Sequence, residues 1–119
     1  MRDHRSLEAW KCARIVALAT LDASRDHWKP YAAAVFVQLQ RAALSVQLNI
    51  AEGYALGSRR GFASHLRIAY GSAVETRDLL DLAAERALFP EALVKESIEK
   101  NTRCQRLLVG LMKRYRDPP

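Results

Sequence analysis

Gln40 to Tyr54, QRAALSVQLNIAEGY, run for about four helical turns before the first glycine, Gly53. At one hundred degrees per residue, Arg41, Ser45, Asn49 and Glu52 share an arc of about eighty degrees. Leu39, Ala42, Ala43, Val46 and Ile50 form one apolar stripe, and Val37, Leu44, Leu48 and Ala51 a second on the far side. A helix apolar on two faces expects neighbours on both, with its polar stripe lying between packed elements. The stretch therefore predicts the second half of a long helix over residues 30–54, opened by Pro30, inside an assembly of helices.

The flanking chain repeats the same periodicity. Ser6 is a candidate N-cap for a first helix over residues 7–23, where Ala9, Trp10, Cys12, Ala13, Val16, Ala17, Ala19 and Leu21 give a wide apolar arc that predicts heavy burial. Gly57 and Ser58 mark a connection and a cap for a third helix over residues 59–88. Its core stripe is Phe62, Leu66, Ala69, Ala73, Leu80 and Ala84, and Gly71 in mid-helix suggests the close approach of a neighbour. Phe89 and Pro90 break the pattern before a fourth helix over residues 90–115, with Leu93, Cys104, Leu107, Leu108, Leu111 and Tyr115 inward. No sustained alternation or hairpin dipeptide suggests strands. The expected fold is all-α, an antiparallel up-down-up-down four-helix bundle forming one domain over residues 1–119.

Half of the 119 residues are hydrophobic and 27% are charged, a composition that suits a packed core rather than a disordered tail. The longest clear apolar run, residues 31–37, is too short to span a membrane, and MRDHRSLEAWK has no apolar h-region. A cytoplasmic protein is expected. Cys12 and Cys104 lack CxxC spacing and read as buried free thiols. The formal net charge is +6, and residues 100–116 hold six basic residues and no acid.

The segments WKCARIVAL, QLQRAALSVQLNIAEGY and FASHLRIAYGSAVE together resemble the bacterial four-helix-bundle family named for proteins encoded in intervening sequences of 23S ribosomal RNA genes. That family is also similar to the accessory variability proteins of diversity-generating retroelements, whose oligomer serves a reverse transcriptase. The resemblance implies a homo-oligomeric bundle, a pentamer, with no established enzymatic activity and a suspected role in nucleic-acid binding. The motif positions carried over are Arg41, Ser45, Asn49, Ile50, Ala51, Glu52 and Gly53, then Gly71, Ser72 and Glu75. None brings a catalytic role with it. The loop at residues 26–30 departs from the family pattern.

Two groups of residues carry the chemical expectations. Side-by-side packing of helices two and three would let Arg41, Ser45, Asn49 and Glu52 meet Ser72 and Glu75 in a structural polar network, with Arg41 paired to a carboxylate. The nucleic-acid candidates are Arg59, Arg60 and Arg67 at the start of helix three, and Arg103, Arg106, Lys113 and Arg114 within about one hundred degrees on helix four. The bland alternative for them is a solvated face, with the helix-four cations favoured by the helix dipole. A ring of five copies would carry roughly +30 and repeat each patch. No base-reading motif is present, so sequence specificity is not implied. The scattered His4, His27 and His65 lack metal-ligand spacing, and no Glu-x-x-His pair, P-loop or activated nucleophile occurs. No catalytic residue, metal or cofactor is expected. The alternative function is a protein-interaction scaffold, or an accessory to a nucleic-acid enzyme such as a reverse transcriptase.

Overall fold

The computed structural model describes residues 4–116. A short 3-10 turn, His4–Ser6, leads into α1, Glu8–His27; a second such turn, Pro30–Ala32, leads into α2, Ala33–Ala55; then come α3, Arg59–Glu85, and α4, Glu91–Tyr115. Each helix packs on the next and α4 closes back on α1. Cross-helix pairs fix the directions: Ser45 meets Ser72 and Asn49 meets His65, Phe62 meets Tyr115, and Cys104 meets the carbonyl of Ala9. All four seams are antiparallel, so this is an all-α, up-down-up-down four-helix bundle. It measures 45 × 26 × 22 Å, about the length of its longest helix.

The helix ends differ from expectation where burial overrides local chemistry. The N-cap of α1 is Leu7, without a side-chain cap, rather than Ser6. At its other end α1 continues through the polar stretch to His27 because Ala23 and Ser24 are buried there, while Arg25 pairs with Asp22 and Asp26 on the wet side. The third helix stops at Glu85, and Ala87 takes a positive φ of 51° that turns Leu88 and Phe89 into the core. Ser58 caps α3 as expected, its Oγ accepting from the Gly61 N–H at 3.0 Å. Pro90 serves as N-cap of α4.

The core fills both ends. One cluster joins Ala9, Cys12 and Ala13 to Ile50, Phe62, Leu66, Cys104 and Leu108; another joins Ala23, Phe36 and Leu39 to Leu80, Leu88, Phe89 and Val94. The connection between α1 and the Pro30–Ala32 turn closes the second end. Trp28 lies on Phe36, Phe36 meets Phe89 edge-on, and Lys29 Nζ donates to the Leu88 carbonyl at 2.8 Å.

Burial redraws several stripes. On α1 the expected Leu21 is exposed, as are Ile15 and Leu18, whereas Thr20 and Ser24 go inside. On α3 Ala83 and Thr76 are buried and Ala84 is exposed. On α4 the buried line is Val94, Ser97, Asn101, Cys104 and Leu108, with Leu93, Leu107, Leu111 and Tyr115 only half-buried. The second apolar stripe of α2 divides: Leu44 packs against Val16, Ala17 and Ala43, whereas Leu48 is 57% and Val37 42% exposed. Beside it on α3 stand Ile68 and Val74, also exposed, and Gly71, where an added Cβ would meet nothing within 4 Å. The close approach expected at Gly71 is found at Gly53 instead. No described helix is long and apolar enough to cross a membrane.

Candidate nucleic-acid interface

The antiparallel ring puts the start of α1, the end of α2, the start of α3 and the end of α4 at one end of the bundle. Cut at the helix midpoints, the half holding residues 4–17, 44–72 and 103–116 carries eleven lysines and arginines against two carboxylates, Glu8 and Glu52. The opposite half, residues 18–43 and 73–102, carries seven against nine. The charge is segregated along the axis as well as onto helix faces. All seven nucleic-acid candidates lie in the basic half, joined by Arg116 of the acid-free run 100–116 and by Arg5, Lys11 and Arg14, which the helix-by-helix reading missed. The signal for them was topological: in this bundle the first helix begins where the fourth ends.

Within that half the candidates sit differently. Arg106 and Lys113 are exposed and make no ion pair with described residues. Arg103 stands 4.0 Å from Glu8, which also holds Lys11 at 3.2 Å. Arg60 and Arg67 line an open hollow of about 430 Å³ with Ser58 and Ser64, on a helix start with no acid in its first turn. The helix dipole adds partial positive charge there. Arg59 crosses to α4, donating to the Arg114 carbonyl with its guanidinium 5.3 Å from the Tyr115 ring centre. Arg114 lies 5.7 Å from the same ring, and Arg14 5.6 Å from Trp10. Three guanidinium groups thus rest against aromatic rings.

The polar stripe of α2 divides. Ser45 and Ser72 share a hydrogen bond of 2.7 Å, and Asn49 Nδ2 donates to Ser45 Oγ at 3.1 Å and to its carbonyl at 2.9 Å. His65, placed outside this group by sequence reasoning, completes it through Asn49 Oδ1. Arg41 is exposed and makes no carboxylate pair among the described residues; Glu75 takes a hydrogen bond from Gln38 instead, and Glu52 is exposed. Both Arg41 and Glu75 are exposed, where an ion pair gains little over hydration.

No cluster of three or more histidine, cysteine, aspartate or glutamate side chains among the described residues could hold a metal ion. Cys12 and Cys104 are free and buried. Burial, with Cys12 adding to it, pushes the Cys104 thiol up to about 12, so it stays protonated near neutral pH.

The model of the family described as 23S rRNA-intervening sequence protein matches residues 5–110. The chain belongs to this family. A solved structure from Bacteroides thetaiotaomicron, described as a protein with unknown function from the S23 ribosomal protein family, superposes with a TM-score of 0.65. It is 22% identical, and the alignment covers 86% of this chain and 98% of that one, a likeness of fold. No curated protein matches the chain. Among the motif residues, Ser45, Asn49, Gly53 and Ser72 build the α2–α3 seam, whereas Arg41, Gly71 and Glu75 face outward.

Proposed function

We propose that this protein is a non-enzymatic homo-oligomer that binds RNA or DNA by backbone electrostatics, through the basic half of its bundle. The observation that carries the reading is the axial segregation of charge: among the described residues one end holds eleven cations and two anions, with Arg106 and Lys113 in no ion pair there. Phosphate neutralisation is the chemistry such a surface suits, and it positions a polyanion without reading its sequence. Assembly is supported by the uncovered apolar face of α2 and α3, where Leu48, Ile68 and Val74 are exposed around Gly71. A closed ring, the pentamer that the family resemblance implies, would repeat the basic end and accumulate phosphate contacts.

The test is binding to structured RNA across a salt series, for the unaltered protein and for the variant with Arg103, Arg106, Lys113 and Arg114 all changed to Glu. Each phosphate contact contributes a slope of about −0.9 in log K against log salt for duplex, or −0.7 for single strands. Removing four contacts should flatten the slope by roughly three and abolish binding at physiological salt. Equal binding by the folded variant would overturn the assignment of the surface. The second reading, a scaffold or accessory of a nucleic-acid enzyme, rests on the exposed Ile15, Leu18 and Leu21 of α1. A protein partner that stays bound through nuclease treatment favours it.

A further inference from the structure

The basic half also holds an apolar groove that electrostatics does not require. Leu7, Leu107, Gly110 and Leu111 line a groove of about 220 Å³ between the start of α1 and the last turns of α4, and its polar lining is Arg114 and Glu8. Gly110 helps keep it open: an added Cβ there would meet nothing within 4 Å. Packing within the chain does not need this glycine, although inside a helix it costs about 1 kcal/mol relative to alanine. Next to the groove, Arg114 and Arg59 rest against Tyr115, whose ring meets Phe62 edge-on at 4.8 Å.

Building on the reading of this end as a nucleic-acid surface, we propose that the groove takes a base of an unpaired strand, which makes the ligand single-stranded RNA or DNA. A base inside a duplex is stacked and paired, and extracting it costs a few kcal/mol. An unpaired base offers a free π-face to apolar side chains and guanidinium planes, the usual way single strands are held. Charge complementarity names the occupant. Arg103, Arg106, Lys113 and Arg114 lie on the same part of α4 and draw phosphates to the groove, and Glu8 beside it is already engaged by Lys11 and Arg103. The Tyr115 ring limits the freedom of two guanidinium groups, which lowers the entropy lost when a base stacks on them.

The experiment measures affinity by fluorescence anisotropy for oligoadenylate of about twelve nucleotides, for a duplex of matched charge and for inorganic polyphosphate. The proteins are the unaltered chain, Gly110→Leu, which fills the groove without changing charge, and Arg114→Lys, which keeps charge and loses the plane. Helix content and light scattering check fold and assembly. The unaltered protein should prefer the single strand to both other polyanions by at least tenfold, and Gly110→Leu should reduce that preference on the order of tenfold. Arg114→Lys should lower it by a smaller factor. A Gly110→Leu variant that keeps the full preference overturns the proposal. Equal binding of all three polyanions also overturns it, while leaving the electrostatic reading standing. A change of assembled mass with Gly110→Leu makes the groove a subunit contact and sinks the base site. Binding of no polyanion by the unaltered protein brings down both readings.

Discussion

Nδ1 of His65 stands 2.9 Å from Oδ1 of Asn49, and this contact orders the polar seam between α2 and α3. Asn49 spends its amide N–H groups on Ser45, so its oxygen accepts and the imidazole donates from Nδ1. The ring fits because residue 53 has no side chain: a Cβ there would stand 2.5 Å from the His65 Cβ and 3.2 Å from Phe62 Cδ1. Gly53→Ala must therefore push α2 and α3 apart, at an expected cost of about 1 to 3 kcal/mol. Urea denaturation measures it. A midpoint equal to that of the unaltered protein would show that the two helices do not cross as closely as described.

Helical periodicity gave four helices because apolar residues recur at the helical repeat along each of them. The polar stripe of α2 was legible as well, but its partners were not. Ser45, Asn49 and Ser72 are short side chains held close to the backbone and meet across the seam, whereas Arg41 and Glu75 are long and exposed, Glu75 bonding to Gln38 rather than to Arg41. His65 was missed because one histidine on a helix carries no spacing signal. Asn101, 1% exposed, was missed because hydropathy assigns a polar residue to the surface, yet its Nδ2 donates to the Ala73 carbonyl at 2.9 Å. The axial charge separation becomes visible only once the helices are folded back against one another.

Gly71 separates monomer stability from assembly. In one subunit its Cβ position is open, so Gly71→Ala should raise the thermal stability of an isolated subunit by up to about 1 kcal/mol. If the α2–α3 face is the subunit contact, an alanine between Ile68 and Val74 should instead lower the assembled mass, and Ile68→Asp should lower it further. Multi-angle light scattering at low micromolar concentration reads both. An unchanged mass for Ile68→Asp would remove this face from the assembly.

Two buried polar residues should respond in opposite directions. Ser24 Oγ is buried with no hydrogen-bond partner among the described residues, so Ser24→Ala removes a desolvated hydroxyl and should stabilise the fold by about 1 kcal/mol. Asn101→Ala removes a satisfied amide and leaves a space between α3 and α4, with an expected loss of about 1 to 3 kcal/mol. Paired urea titrations decide the matter. Destabilisation by Ser24→Ala would mean that the hydroxyl has a partner in solution.

Cys104 gives the bundle a stability term that is lost in alkali. Its side chain is 1% exposed, its Sγ lies 3.8 Å from the Ala9 carbonyl, and burial with Cys12 nearby raises its pKa from 9.0 to about 12. Between those values an unfolded chain has released the proton while the folded chain keeps it. The contribution is therefore complete below about pH 9 and declines as pH rises towards 12. The measurement compares urea midpoints at pH 7, 9 and about 10.5 for the unaltered protein and for Cys104→Ala, which differ only in this group. The variant should be less stable at neutral pH because it leaves a cavity, and its midpoint should fall less steeply with alkali. In the unaltered protein at pH 8, Cys104 should react with a thiol reagent only as fast as the bundle opens. Immediate labelling of Cys104, or parallel alkaline declines in the two proteins, would show that this thiol is not sealed in the core.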